Sequence, residues 1–283
     1  MGKWIRRILM LVLLAVFLGS LGSVLAILHR YKVSQDFYED AITQYVRPAE
    51  ESDHSSLEDG SDMTGTSASG PGDDLHEEDH HVLEMAPFEV DFDALRKVGP
   101  DVVGWLYCPG TIINYPVVQG ETDDDYLHTR YDGVYNFPGS IFVEADNKPE
   151  FQDYNTIIYG HNMLDNTMFA YLEDWEDQSF YDDHPVMWLL TPEQDYKILL
   201  FSGYTTSAYS DVYTIIPTAG EALNEYIAIA KNDSEFQADV ELREDAHYVL
   251  LSTCAYSFTN ARFVLHGMLE PLGSAGGVPL HSH

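Results

Sequence analysis

The chain has 283 residues, 45% hydrophobic and 13% aromatic, and sets 14 Lys and Arg against 47 Asp and Glu for a formal charge of −33. That length and apolar content allow one or two domains with a sizeable core, and they exclude a wholly disordered chain. The acidic excess excludes nucleic acid as a partner, and two cysteines, Cys108 and Cys254, exclude a disulfide scaffold or a Cys-rich zinc site.

At the N-terminus, Lys3, Arg6 and Arg7 precede an uncharged stretch, residues 8–28, dominated by Leu, Val, Ile and Ala. As a helix rising about 1.5 Å per residue it covers roughly the 30 Å of a bilayer's hydrocarbon core. A cleaved signal peptide is the competing reading, since Ser20, Gly22, Ser23 and Ala26 offer small residues near its end. Signal cores usually run only about 7–15 residues, so the length favours a retained single-pass anchor. Residues 1–7 are then a cytoplasmic head, although Arg30 and Lys32 beyond the span weaken the charge asymmetry. Residues 31–47 can continue as a polar helix above the membrane. From 48 to 86 there are twelve acidic residues and no Lys, Arg or aromatic side chain. Such a stretch cannot bury apolar surface, and residues 29–86 are expected to form a disordered, self-repelling extracellular linker. His76, His80 and His81 lie among its carboxylates, where a solvated tether is a simpler reading than a weak metal site.

The chain reads as globular over residues 87–270. A helix is expected over 90–98 with Asp91 as its N-cap. Strands are expected over 102–107, 112–118, 140–143, 156–159, 186–190, 196–204, 247–253 and 262–269. Two further helices are expected over 166–175 and 220–231, the second with Ala222, Leu223, Tyr226, Ile227 and Ala230 as its apolar stripe. Many short strands with few helices predict a mainly β domain, a closed barrel or a sandwich. The Gly-rich end, 271–283, reads as a flexible tail.

Cys254 ends an apolar strand and precedes a polar loop, a place substrate can reach. On position alone an inert buried thiol fits as well. Arg262 follows eight residues later at the start of the next strand, so a hairpin can bring its guanidinium beside the thiol. A permanent cation there favours the thiolate and can hold an oxyanion; a surface salt bridge is the alternative. Residues 87–283 hold only eight basic against 32 acidic residues, so an arginine at this place stands out. Nucleophilic cysteines commonly work with an imidazole. Of five histidines in the globular region, His161 has the most telling place, presented with Asn162 after the run Asn155-Thr-Ile-Ile-Tyr159 and Gly160. His128, His184, His247 and His266 read as structural.

Taken together, Tyr159-Gly-His-Asn-Met163, Leu251-Ser-Thr-Cys254 and Arg262-Phe-Val-Leu-His-Gly-Met-Leu269 resemble the sortases, class B most closely. Asp101-Val-Val-Gly-Trp-Leu106, Tyr115-Pro-Val-Val-Gln-Gly120 and Gly139-Ser-Ile-Phe142 agree, and the resemblance spans residues 90–270. Leu250 stands where the family signature has Thr, in the strand rather than at the thiol, so altered packing without loss of chemistry is expected. Cys108 reads as an apolar filler rather than a disulfide partner of Cys254. The resemblance implies a closed eight-stranded β-barrel with a few flanking helices and, as its activity, a cysteine transpeptidase of the thiol-protease kind. Cys254 would attack the threonine carbonyl of a C-terminal sorting signal, giving a thioacyl-enzyme. His161 would serve as acid and base, and Arg262 would hold the oxyanion. Ser252, Thr253 and Leu127 are expected to contact substrate, and the segment between Tyr204 and His247 to form the wall that reads it. The implied partners are surface proteins bearing a sorting signal and an amine acceptor from peptidoglycan or, alternatively, from a pilin lysine. A hydrolytic cysteine peptidase is the further alternative. Neither a metal nor another cofactor is expected.

Overall fold

The computed structural model of the protein describes residues 2–48 and 86–273. Its first element is a single 43-residue helix, α1 (Lys3–Tyr45), about 65 Å long at 1.5 Å per residue. The first part is apolar and faces no protein, with Leu11 66% and Phe17 61% exposed. The helix is long and apolar enough to cross a membrane. Its last turns behave differently. Tyr38, Ala41, Ile42 and Tyr45 recur at helical spacing, and Tyr38, Ala41 and Tyr45 are buried against the rest of the chain. The helix runs directly into β1 (Val46–Pro48), which pairs antiparallel with β2 (Phe88–Val90), and Arg47 reaches Asp91 at 2.9 Å. Residues 31–45 thus continue the helix as expected, but they dock on the folded body, and the linker does not begin at residue 29. Acidic neighbours such as Asp36, Glu39 and Asp40 mask an apolar stripe that the globular part covers. The remaining linker, residues 49–85, with His76, His80 and His81, lies outside the described residues, as does the tail from 274.

Beyond β2, Asp91 caps the short α2 (Phe92–Leu95) by accepting from Ala94 N, as predicted. Eight strands follow: β3 (Val102–Tyr107), β4 (Asn114–Val118), β5 (Ile141–Val143), β6 (Asn155–Tyr159), β7 (Val186–Leu190), β8 (Tyr196–Ser207), β9 (His247–Cys254) and β10 (Ala261–Pro271). They close a barrel in the order β10-β8-β7-β3-β4-β5-β6-β9. Closure gives every strand two partners and leaves no exposed edge. Only β4–β5 and β6–β9 are parallel. Parallel neighbours require long crossovers, and these two junctions are spanned by the loop 119–140 and by residues 160–246, which themselves include β7 and β8.

Side chains alternate along β9. Val249 and Leu251 join the cluster around Trp105, Leu106 and Phe263, whereas Tyr248 and Leu250 join a second one beneath α4 (Glu221–Asp233) with Leu223, Tyr226 and Ala230. Leu250 is thus fully buried under a helix, where an apolar residue suits the site. Short helices fill the crossover: a 3-10 stretch at Ala170–Glu176 and α3 (Gln178–Asp183), the latter not anticipated. The helix expected over 166–175 begins only at Ala170, because Asn166 and Met168 take positive φ of 61° and 57°. Cys108 and Cys254 are both free, and Cys108 is fully buried.

Candidate active site

Cys254 is the last residue of β9, and the antiparallel register places it directly opposite Arg262 on β10. Cross-strand partners project to the same face, so thiol and guanidinium are neighbours by register alone. On the other side, β6 runs parallel to β9 with Tyr159 opposite Ser252. Two residues further along each chain, His161 stands level with Cys254. The two strand ends are stitched together there. Gly160 N donates to Ser252 O at 3.2 Å, Thr253 Oγ1 to Gly160 O at 2.8 Å, and Asn162 Nδ2 to Cys254 O at 2.8 Å. Gly160 is required for space rather than for a left-handed turn, since a Cβ would come within 2.7 Å of Ile141 and the Phe169 ring.

His161 is half-buried. Its Nε2 lies 2.8 Å from the Leu127 carbonyl. A carbonyl only accepts, so Nε2 carries a proton and Nδ1 is the nitrogen free to exchange one. The ring stacks on His128, with centroids 5.2 Å apart and planes 12° from parallel. Burial holds the His161 pKa below the usual imidazole range; the Leu127 bond opposes the shift and the neighbouring His128 adds to it. Arg262 donates to the Ala261 carbonyl and forms no ion pair among the described residues. Its charge is therefore not neutralised by a carboxylate there.

All six residues singled out from sequence, Cys254, His161, Arg262, Leu127, Ser252 and Thr253, line one cleft of about 240 Å³. Asp123, Asp124, Phe142, Tyr159 and Gly160 complete the lining. The two aspartates lie on the β4–β5 crossover, in an acidic run indistinguishable by sequence from a solvated loop. Tyr213, likewise missed, meets Ser252 Oγ at 2.8 Å and brings the segment after β8 against the cleft wall. His128, which reads from sequence as structural, belongs to the site through its stack on His161. His247 does bond the Asp153 carbonyl, and His266 is fully buried with Nδ1 2.8 Å from Tyr226 Oη. Burial pushes the His266 pKa down to about 3. Among the described residues, no group of three or more His, Cys, Asp or Glu is placed to hold a metal ion.

No protein-family model matches the chain. It is 35% identical to sortase B of Staphylococcus aureus over 176 residues, covering 62% of this chain and 72% of that protein. Sortase B of Listeria monocytogenes is also 35% identical over 178 residues, with the same coverage of each. Among solved structures, S. aureus sortase B superposes with a TM-score of 0.61 at 34% identity, over 64% of this chain and 87% of that one. Clostridium perfringens sortase B gives 0.59 at 30% identity, over 64% of this chain and all of the other. Identity of this order across nearly three quarters of each relative exceeds what a shared barrel demands, and it makes this chain a member of the sortase family of cysteine transpeptidases, in class B.

Proposed function

We propose that Cys254, His161 and Arg262 carry the transpeptidation and that the substrate is a C-terminal sorting signal cleaved after threonine. The observation behind this is the register: Cys254 faces Arg262 across one strand pair and stands level with His161 across the other. Cys254 Sγ adds to the threonine carbonyl while its proton passes to His161 Nδ1. The oxyanion forms beside the Arg262 guanidinium, which acts as a fixed positive partner for the developing charge. His161 then returns the proton to the departing amine, leaving a thioacyl-enzyme. An incoming amine gives a proton to the same imidazole, attacks the thioester and releases Cys254. One imidazole suffices because the second half-reaction reverses the proton path of the first. A His161 pKa held low keeps the free imidazole neutral near pH 7, ready to accept the thiol proton.

S. aureus sortase B is described in complex with substrate, and sortase B with a triglycine peptide. By analogy the acceptor here is an amine of the peptidoglycan cross-bridge, and the product is a surface protein joined to the cell wall. Asp123 and Asp124 on the cleft lip favour an ammonium group over an anion. The N-terminal head lies in the cytoplasm, residues 8–28 span the membrane, and the catalytic domain faces outward.

Mass spectrometry of the full chain in detergent, mixed with a sorting-signal peptide library, tests this. A thioacyl mass on Cys254 that moves to an added amine is expected, and Cys254→Ala forms none. An adduct that resolves only to free acid, with every amine tried, would make the protein a hydrolase instead.

A further inference from the structure

Two sets of contacts hold His161, and both lead back to one side chain of α1. The first runs through the acceptor of its Nε2 proton, the Leu127 carbonyl. Gly139, with φ +61°, lies so close to that segment that a Cβ there would strike the Leu127 carbonyl oxygen. The Gly139 carbonyl in turn accepts from the Tyr38 hydroxyl at 2.6 Å.

The second set runs through the turn that follows the histidine. The His161 carbonyl accepts from Phe169 N at 3.0 Å, and Asn162 bridges to Met168. Met168 N donates to Tyr115 Oη at 3.2 Å. Positive φ is tolerated by Asn166 but strained at a residue such as Met168, and it persists only where the surroundings hold it. The Tyr115 hydroxyl is one of the contacts that hold Met168 there, and the Tyr38 ring meets the Tyr115 ring edge-on, with centroids 5.3 Å apart and planes at 88°. From the same helix, Gln35 Nε2 donates to Asp165 in that turn at 3.3 Å. Tyr38 is only 4% exposed, so neither contact competes with water.

We propose that Tyr38 is a positioning residue for His161, its hydroxyl holding the Gly139 backbone that packs on the Leu127 carbonyl orienting the imidazole, and its ring backing the tyrosine that meets the following turn. The apolar N-terminal helix is thereby part of the catalytic architecture and not only a tether. The inference rests on the reading of His161 as the acid and base. An imidazole that must meet Sγ, the leaving nitrogen and the incoming amine in turn tolerates little displacement, and about 1 Å can cost up to 10²-fold in rate.

The test uses the full chain in detergent micelles with Tyr38→Phe, which keeps the ring against Tyr115 and removes the bond to Gly139. Tyr115→Phe complements it by keeping the ring contact and removing the Met168 bond. Each is expected to lower kcat about tenfold with KM within twofold and an unchanged unfolding midpoint. In NMR titrations the His161 ring should then titrate closer to an ordinary imidazole, because a loosened ring admits water; His128 faces it, and Asp123, Asp124 and Arg262 share its cleft. Unchanged kcat and an unchanged titration in both variants would overturn the proposal. So would losses in kcat, KM and midpoint that move together, which mark a merely structural role. His161→Ala is measured alongside: transpeptidation surviving in it refutes the acid–base reading itself, whereas the titration reports on Tyr38 in either case.

Discussion

Cys254 and Arg262 sit on strands matched residue for residue from Leu269 and His247 down to Arg262 and Cys254. His161 lies two residues beyond the end of β6, on a turn with two left-handed non-glycine residues, and owes its place to a carbonyl, a stacked ring and a tyrosine hydroxyl from elsewhere. Cys254 and Arg262 are thus set by sheet register, which no single distant substitution shifts. The imidazole is set by tertiary contacts, which distant substitutions can shift. One half of the site should respond to chemical change alone and the other to changes far from the chemistry.

The largest effect should come from the sheet-held half. Arg262→Ala is expected to lower kcat by about 10²–10³-fold, as loss of an oxyanion partner does. Arg262→Lys should restore little, since an ammonium lacks the planar fork. Full rescue by lysine would show that charge at this register position suffices and that the planar fork does not matter. At the seam between the halves, Asn162→Ala removes the bond to the Cys254 carbonyl and should lower kcat roughly threefold to tenfold without preventing thiol alkylation. Equal loss of alkylation would mean that Asn162 supports the strand rather than the seam. The smallest effect lies in the barrel wall. His266 binds its proton with a pKa of about 3 when folded and about 6.5 when unfolded, so the unfolded chain takes up more protons between those values. Its stabilising contribution is complete above about pH 6.5 and drains as pH falls towards 3, by up to about 1.4 kcal/mol per unit. Urea unfolding of His266→Gln should show a flatter acid limb than the parent, with kcat at pH 7 little changed. An identical acid limb would show that His266 takes up a proton without unfolding.

The same division separates what could be read from the sequence. β3 and β7 lie where short apolar runs bounded by turn signals placed them, and all eight barrel strands were recognisable in that way. Cys254 and Arg262 were legible because a strand, a short polar loop and a strand dictate their pairing. His161 was legible as a strand exit, but its tautomer, its stack on His128 and its dependence on Leu127 were not, because a 22-residue crossover brings those residues in from beyond β4. The docking of α1 escaped notice for another reason: four apolar residues spaced along a helix carry little weight when every gap between them holds a charge or an amide.

The pairing of β1 with β2 has a consequence of its own. Pro48 and Phe88 are partners across that small sheet, so the chain leaves the folded body and re-enters it at one point. On the proposed topology the acidic stretch between them adds nothing to the reach from bilayer to cleft, which the length of α1 sets. Residues can be inserted into it or deleted from it without raising or lowering the enzyme over the membrane, at a closure cost that grows only with the logarithm of the length. Severing it would leave two pieces joined by a strand pair, an ion pair and a buried tyrosine stripe, so the protein should assemble from α1 and its barrel supplied as separate chains.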